Sequence, residues 1–436
     1  MGGVGRWLLT MLWSIVGAAL VVASMVGATW LLRLSREVYH PWYARPGRLF
    51  LLLLAVGVTV GWAAVRAGQW LPRRAHGLRH PEVVWSITLP VWTLLAFVVL
   101  WYAPAAAYLW VLPLAAAGLL FTVVPLANAT VVRLASAIVL GITATLWFPN
   151  TPDLLQFAVA VFGRLPIVTP VFVFAAIMAV AGVMVVPPFV AMVATLRPLL
   201  RPVLMTAVLL LAVATAGGLA YSAPAYTHEQ PLRRTVRAVQ DLGDERAIWE
   251  VGSTEPGIDL GEGAPAGWTP VGDETPLSIP RGRLRQPFVF RTKGSALGPA
   301  PAAVSEAATS PLADGIELSL AIVPKEPGLT FAFVMPAGIA PARANLPAVT
   351  RQGRWTATYV AAPADGVRLR AAFAGVDESR LRSVRVAVTS HRLPGGAGWQ
   401  SLPAWLPQER TVWSASATWI VDPFAPPAIA PVPPLR

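Results

Sequence analysis

Up to Tyr221 the chain contains only three acidic residues, Glu37, Glu82 and Asp153, and consists of long apolar runs separated by short loops that carry arginine. The rest of its 22 acidic residues come later. Such a division makes two physically different halves out of 436 residues, an apolar one and a water-compatible one. A helix that crosses a bilayer needs about 20 apolar residues. Residues 6–32, 49–65, 83–102, 106–124, 134–148, 167–196 and 203–221 read as seven such crossings. The stretch 154–163 is too short to cross alone and reads as a re-entrant or interfacial helix. Lipid offers the backbone no hydrogen-bond partner, so each run closes its bonds internally, as a helix. Pro90, Pro113, Pro170, Pro187 and Pro188 fall in or near these runs and read as kinks.

The first run is too long for a signal-peptide core and lacks a small-residue cleavage site, so it reads as a retained anchor. Residues 1–222 are therefore expected to form a membrane domain whose partner is the lipid bilayer. Arginine in short loops orients such a domain. Arg6, Arg66, Arg73, Arg74, Arg79, Arg133, Arg197 and Arg201 lie on the side of the N-terminus, against Arg33, Arg36, Arg45, Arg48 and Arg164 on the other. The excess favours an N-terminus inside, in the inner (plasma) membrane, with the C-terminal domain extracytoplasmic. Trp42, Tyr43, Trp70, Trp101, Tyr102, Tyr108, Trp110, Trp147 and Tyr221 sit near run ends and read as interfacial aromatics.

The net charge of +12 is almost all arginine, with Lys293 and Lys325 the only lysines. Because much of it lies in loops between apolar runs, topology accounts for it and nucleic acid is not expected as a partner. With no cysteine there are no disulfides and no thiolate metal site.

Residues 223–422 change character. A segment at 231–241 reads as a short helix. Short runs rich in β-branched and aromatic residues follow at 247–252, 288–292, 316–323, 330–335, 355–361, 367–373, 384–391 and 412–421. Several alternate with a period of two, as in Val367-Arg368-Leu369-Arg370, which buries one face and wets the other. Such runs with turn signals such as Pro363-Ala364-Asp365-Gly366 predict a mostly antiparallel β-sandwich. Residues 298–312 read as a Pro/Ala-rich loop and 423–436 as an extended Pro-rich tail.

The residues that could carry chemistry are few. His76 and His80 are four apart, but Gly-Leu-Arg lies between them where a zinc hydrolase places a glutamate to activate metal-bound water. His40, His228 and His391 stand apart from one another. Gly294-Ser295-Ala296-Leu297-Gly298 has the wrong order for a nucleophile elbow, and no phosphate-cradling glycine loop occurs. Asp377 and Glu378 read as a solvated turn, and Glu255 and Asp259 as acids of a Pro/Gly-rich loop, a weak cation site being the lesser alternative there. Glu82 and Asp153 fall at span ends, and Arg133 and Arg164 can snorkel to the surface. No catalytic, cofactor-binding or metal residue is assigned, and no cofactor.

Several strings occur together: His76-Gly-Leu-Arg-His-Pro-Glu-Val-Val-Trp85, Leu89-Pro90-Val91-Trp92, Ala103-Pro104, and Ala107-Tyr-Leu-Trp-Val-Leu-Pro113. The second half adds Ile248-Trp249-Glu250-Val251-Gly252, Glu255-Pro256-Gly257 and Leu402-Pro403-Ala404-Trp405-Leu406-Pro407-Gln408. In order and content the chain resembles the membrane and C-terminal regions of bacterial membrane-bound zinc metallopeptidases. These are relatives of the vacuolar membrane protease and the endoplasmic reticulum metallopeptidase, with an aminopeptidase Y-type catalytic domain. The resemblance implies an extracytoplasmic peptidase domain preceding the spans, with two zinc ions held by His, Asp and Glu and a Glu general base. No position here matches those residues, and the first run begins at Arg6. The expectation is a non-catalytic membrane anchor and accessory β domain of a zinc metallopeptidase system, which docks on, or presents substrate to, a peptidase domain encoded elsewhere. The alternatives are a stand-alone membrane-anchored binding module and a transporter component.

Overall fold

The computed structural model describes residues 3–70, 81–123, 129–162, 169–193, 202–241, 243–271, 288–351, 353–391, 405–406 and 411–425. The chain divides into two compact units, Met1–Gln230 and Pro231–Arg436.

The first unit is helical. Its helices are α1 (Gly3–Arg36), α2 (Pro46–Trp70), α3 (Pro81–Tyr102), α4 (Tyr108–Val123), α5 (Ala129–Phe162), α6 (Phe172–Val193) and α7 (Pro202–Ser222). Among the described residues six of them are long and apolar enough to cross a membrane. The expected seventh, over 106–124, is shorter: Pro104–Ala106 form a 3-10 turn and α4 holds 16 residues. A second departure concerns 134–148 and 154–163. They are one helix, α5, of 34 residues. Pro149 and Pro152 lie inside it, where Asn150 Nδ2 bonds the Leu146 carbonyl at 2.6 Å and Thr151 Oγ1 the Trp147 carbonyl at 2.7 Å. The prolines remove the N–H partners of the Thr145 and Phe148 carbonyls, and these two side chains bond the carbonyls between them. Asp153 consequently lies inside α5, and not at a helix end.

Small residues bring α1 and α2 together. Gly57, Gly61, Ala64 and Gly68 recur along α2 at spacings of three and four, so they share a face. Trp13, Gly17, Val21 and Met25 of α1 lie against that face. Trp13 Nε1 donates to the Ala64 carbonyl at 3.1 Å. A Cβ on Gly68 would fall 2.6 Å from that same nitrogen.

Other tryptophans are equally internal. Trp85 donates to Ser136 Oγ at 2.9 Å, and Trp147 to the Leu109 carbonyl at 3.0 Å. Trp110 and Trp147 stack edge to face at 5.4 Å and are both buried. They are packing residues between the helices. Trp101 and Tyr102, the last residues of α3, are 82% and 81% exposed.

The second unit is a mostly antiparallel sheet domain. Its strands are β1 (Leu232–Asp241), β2 (Ala247–Ser253), β3 (Thr269–Pro270), β4 (Phe288–Gly294), β5 (Ala302–Leu312), β6 (Gly315–Pro324), β7 (Thr330–Val334), β8 (Arg343–Ala344), β9 (Ala348–Arg351), β10 (Arg354–Tyr359), β11 (Val367–Phe373), β12 (Arg385–Ser390) and β13 (Thr411–Val421), with a one-turn helix α8 (Glu378–Leu381). Nine strands form one sheet in the order β3-β4-β2-β1-β13-β12-β7-β10-β9, and four form another, β5-β6-β11-β8. The pair β1–β13 is parallel; the other pairs are antiparallel.

One apolar core joins the two sheets. Val236, Trp249, Phe331, Phe333 and Trp419 come from the larger, and Leu318, Leu320, Leu369 and Phe373 from the smaller. The period of two read from Val367 to Arg370 is the reason: Val367 and Leu369 are buried while Arg368 and Arg370 are exposed. Gly366, at φ +92°, closes the Pro363–Gly366 turn, and a Cβ there would meet the Ile322 carbonyl.

Two expectations fail in this unit. The helix expected over 231–241 is strand β1. Leu232, Arg234, Val236 and Ala238 alternate as buried positions, and β1 pairs on both edges, with β13 and β2. The loop expected over 298–312 contains strand β5. Its alanines and serines have low strand propensity, but pairing along β6 overrides it. Beyond Ala425, the Pro-rich tail lies outside the described residues.

Candidate functional site

Two clusters of charged side chains stand out, one in each unit. In the helical unit Arg33, Arg36 and Arg48 gather where α1 ends and α2 begins. Glu37, at φ +53°, turns the chain out of α1. Arg33 Nε then donates to the Tyr39 carbonyl at 2.9 Å, and its Nη2 to the Thr169 carbonyl at 2.6 Å. Its guanidinium lies 5.4 Å from the Tyr39 ring centre and 5.3 Å from that of Trp42. Arg36 donates to the Ala223 carbonyl. Arg48 donates to the Leu219 carbonyl at 2.9 Å. Leu219 lies in the last turn of α7, where helix carbonyls lack internal partners and a cation is favoured. These arginines therefore fasten helix ends and loops to one another.

His40 is buried inside this cluster, 3% exposed, and its Nε2 accepts the Thr169 N–H at 3.4 Å. The nitrogen lone pair that a metal would need is engaged. His228 and His391 are exposed, and His76 and His80 lie outside the described residues. Among the described residues no three of His, Asp and Glu come together as a metal would require. Arg133 is in the first turns of α5 and Glu82 in the first turn of α3, where a carboxylate suits the helix dipole. Arg164 lies outside the described residues.

Among the described residues of the sheet unit Glu250 is the most enclosed acid. Its side chain is 3% exposed, and it sits between Arg237 on β1 and Arg291 on β4, its register neighbours. Arg237 binds Oε2 through Nε at 3.1 Å and Nη2 at 2.5 Å. Arg291 binds Oε1 through Nε at 3.0 Å and Nη2 at 2.6 Å. Burial alone would push the Glu250 carboxyl up. The charge and hydrogen bonds of Arg237, then those of Arg291, outweigh it and hold the carboxyl below its ordinary value. Each oxygen is gripped by a guanidinium fork, so the group is ionised and its acceptor sites are occupied. Such a carboxylate is a structural tie, unsuited to act as a base or a metal ligand.

The other acids singled out in the sequence also have structural partners. The loop holding Glu255 and Asp259 does attract a cation, but the cation is Arg234. Its guanidinium donates to the carbonyls of Gly257 at 3.2 Å and Asp259 at 3.3 Å and lies over the Trp413 ring. Glu255 is buried and its backbone N–H donates to Ser253 Oγ. Asp377 precedes α8. Glu378 binds Arg382 at 2.7 Å and accepts from Thr309 at 2.8 Å, and these bonds hold its carboxyl below the usual range.

Backbone groups form the remaining open chemistry. On the smaller sheet, β8 covers only Ala371 and Ala372 of β11. Beyond it the Asn345 side chain replaces a strand: Nδ2 donates to the Arg368 carbonyl at 2.8 Å, and Oδ1 accepts the Arg370 N–H at 2.7 Å. At the opposite edge of that sheet β5 has, among the described residues, a strand neighbour on one side alone. Neither feature was visible in the sequence, because a side chain standing in for a strand leaves no periodic signal.

No family model matches the chain, and no curated protein matches it in sequence. Among solved structures, the yeast delta-COP-I mu-homology domain is similar, both by itself and complexed with a Dsl1 WxWxV peptide. Each match covers 44% of this chain and 95% of the other, at 11% identity and a TM-score of 0.23. A likeness this slight assigns neither a fold nor a partner.

Proposed function

We propose that the chain is a multi-pass protein of the inner (plasma) membrane whose β-sandwich lies on the extracytoplasmic side and serves as a non-catalytic accessory domain of a zinc metallopeptidase system. The observation that carries the membrane reading is the outer surface of the helices. Leu94, Phe97, Leu119, Phe157, Val203 and Leu211 are exposed, with Phe97 and Leu211 at 67%. Water penalises so continuous an apolar exterior, whereas hydrocarbon does not. The peptidase reading rests on the motif resemblance alone.

Membrane extraction and affinity capture test the two parts separately. The chain should stay in the membrane fraction through alkaline carbonate and leave it only with detergent. Release by carbonate would refute insertion. The side of the domain is read by labelling, which the lack of native cysteine makes clean. Ser310→Cys, at an exposed position, should react with an impermeant maleimide in intact spheroplasts. Protection there would place the domain inside. Capture from native membranes after mild crosslinking should recover a zinc peptidase. Recovery of none would favour a stand-alone binding module.

A further inference from the structure

We infer that the outer edge of β5 binds an extended peptide by strand addition. Sheets with unpaired edges pair with other chains unless the edge is short, plugged or covered. Among the described residues, three of the four sheet edges are managed in that way. β3 and β8 have two residues each and β9 four, and the Asn345 amide closes β11 beyond β8. β5 is the exception, with 11 residues.

The exposed edge has the chemistry of a peptide backbone. β5 shifts register between Val304 and Glu306, and Pro311 near its end has no N–H to offer. Between these lie Glu306, Ala307, Ala308, Thr309 and Ser310, a regular run that spans about 17 Å at the usual rise. Its one charge is already matched, since Glu306 binds Arg368 at 3.2 Å and accepts from Ser319 at 2.6 Å. Thr309 is fixed by its bond to Glu378. What faces outward is a row of main-chain N–H and C=O groups flanked by small side chains. Such a row selects an extended backbone and discriminates little among side chains.

A second copy of the chain is the poorer occupant. A stable interface buries about 1,200 Å² or more, and five residues with mostly small side chains cannot supply that. A peptide requires only the edge itself. The inference goes beyond the proposed function and does not depend on any peptidase.

Full-length protein in detergent tests it with a fluorescein-labelled ten-residue peptide of alternating Thr and Val, capped by Lys. Of two companion peptides, one is N-methylated at alternate amides, along one edge alone, and the other at every amide. Anisotropy should show binding of the parent. The fully methylated peptide should bind about tenfold or more weakly, since its main-chain donors are lost from both edges, and the half-methylated one, which keeps one edge intact, should bind like the parent. Hydrogen exchange should slow at residues 306–310 on adding the parent and stay unchanged in β11. No binding of the parent would overturn the inference, as would equal binding of all three peptides. Protection of 306–310 that rises with protein concentration and needs no peptide would assign the edge to a second copy and overturn it too. Because no partner chain is present, each of these results leaves the metallopeptidase reading to its own test.

Discussion

Trp92 donates its indole N–H to the Val183 carbonyl at 2.9 Å, and that carbonyl is the one Pro187 leaves without its helical partner. A residue four positions on normally supplies the N–H, and proline has none. Trp147 does the same for Leu109, four residues before Pro113. Two helices with internal prolines are thus each completed by an indole from a neighbouring helix.

Trp92→Phe should lower the stability of the full chain by about 1 kcal/mol, the scale of one buried interhelical hydrogen bond. In a Pro187→Ala background the restored N–H takes the carbonyl, so adding Trp92→Phe should cost much less. Denaturant titration of all four proteins, followed by circular dichroism, measures the coupling. Equal costs in both backgrounds would show that the indole acts by bulk alone.

Gly68→Ala should destabilise the helical unit by about 1–3 kcal/mol, the usual cost of forcing a methyl into packed space. The added Cβ meets the Trp13 indole, which cannot withdraw without losing its bond to Ala64. Gly57→Ala should cost less, because the obstructing atom is the flexible end of Met25. The same titration ranks the two variants, and the reverse order would contradict the packing described.

The helices were legible because apolar runs of this length have few other solutions in or out of lipid. Eight of the thirteen described strands were legible for a similar reason, the alternation of Val367-Arg368-Leu369-Arg370 being the plainest case, while the short strands β3, β8 and β9 carry too few residues to show one. Segment 231–241 was misread because Arg233, Arg234 and Arg237 obscured an alternation that only pairing with β2 and β13 explains. Strand β5 was misread because alanine and proline signal loop, while its register partner β6 signals strand. The Asn345 plug, the forked grip on Glu250 and the proline-freed carbonyls are relations between distant residues, and composition and local spacing carry no trace of them.

Asn345→Ala should leave the Arg368 carbonyl and Arg370 N–H to water at little cost, within about 1 kcal/mol, because the site is exposed. Its effect should instead be a second open edge beside β11. Faster hydrogen exchange at Arg370 and concentration-dependent association, followed by light scattering in detergent, would register it. Unchanged exchange at Arg370 would show that the amide bond is not formed in solution.

Glu250→Gln should be the most damaging single change in the sheet unit, by about 3 kcal/mol or more, because it leaves Arg237 and Arg291 without the charge they enclose. The same carboxylate sets a pH dependence. Its pKa is lower folded than unfolded, so its contribution is complete above the ordinary carboxylate range and disappears as pH falls through the depressed folded value. The native protein should therefore lose stability on acidification through and below that range, and the glutamine variant should lose less over the same interval. Thermal unfolding of both full-length proteins in detergent across that acid range compares the slopes. Parallel slopes would show that the Arg237–Glu250–Arg291 row does not carry the acid sensitivity.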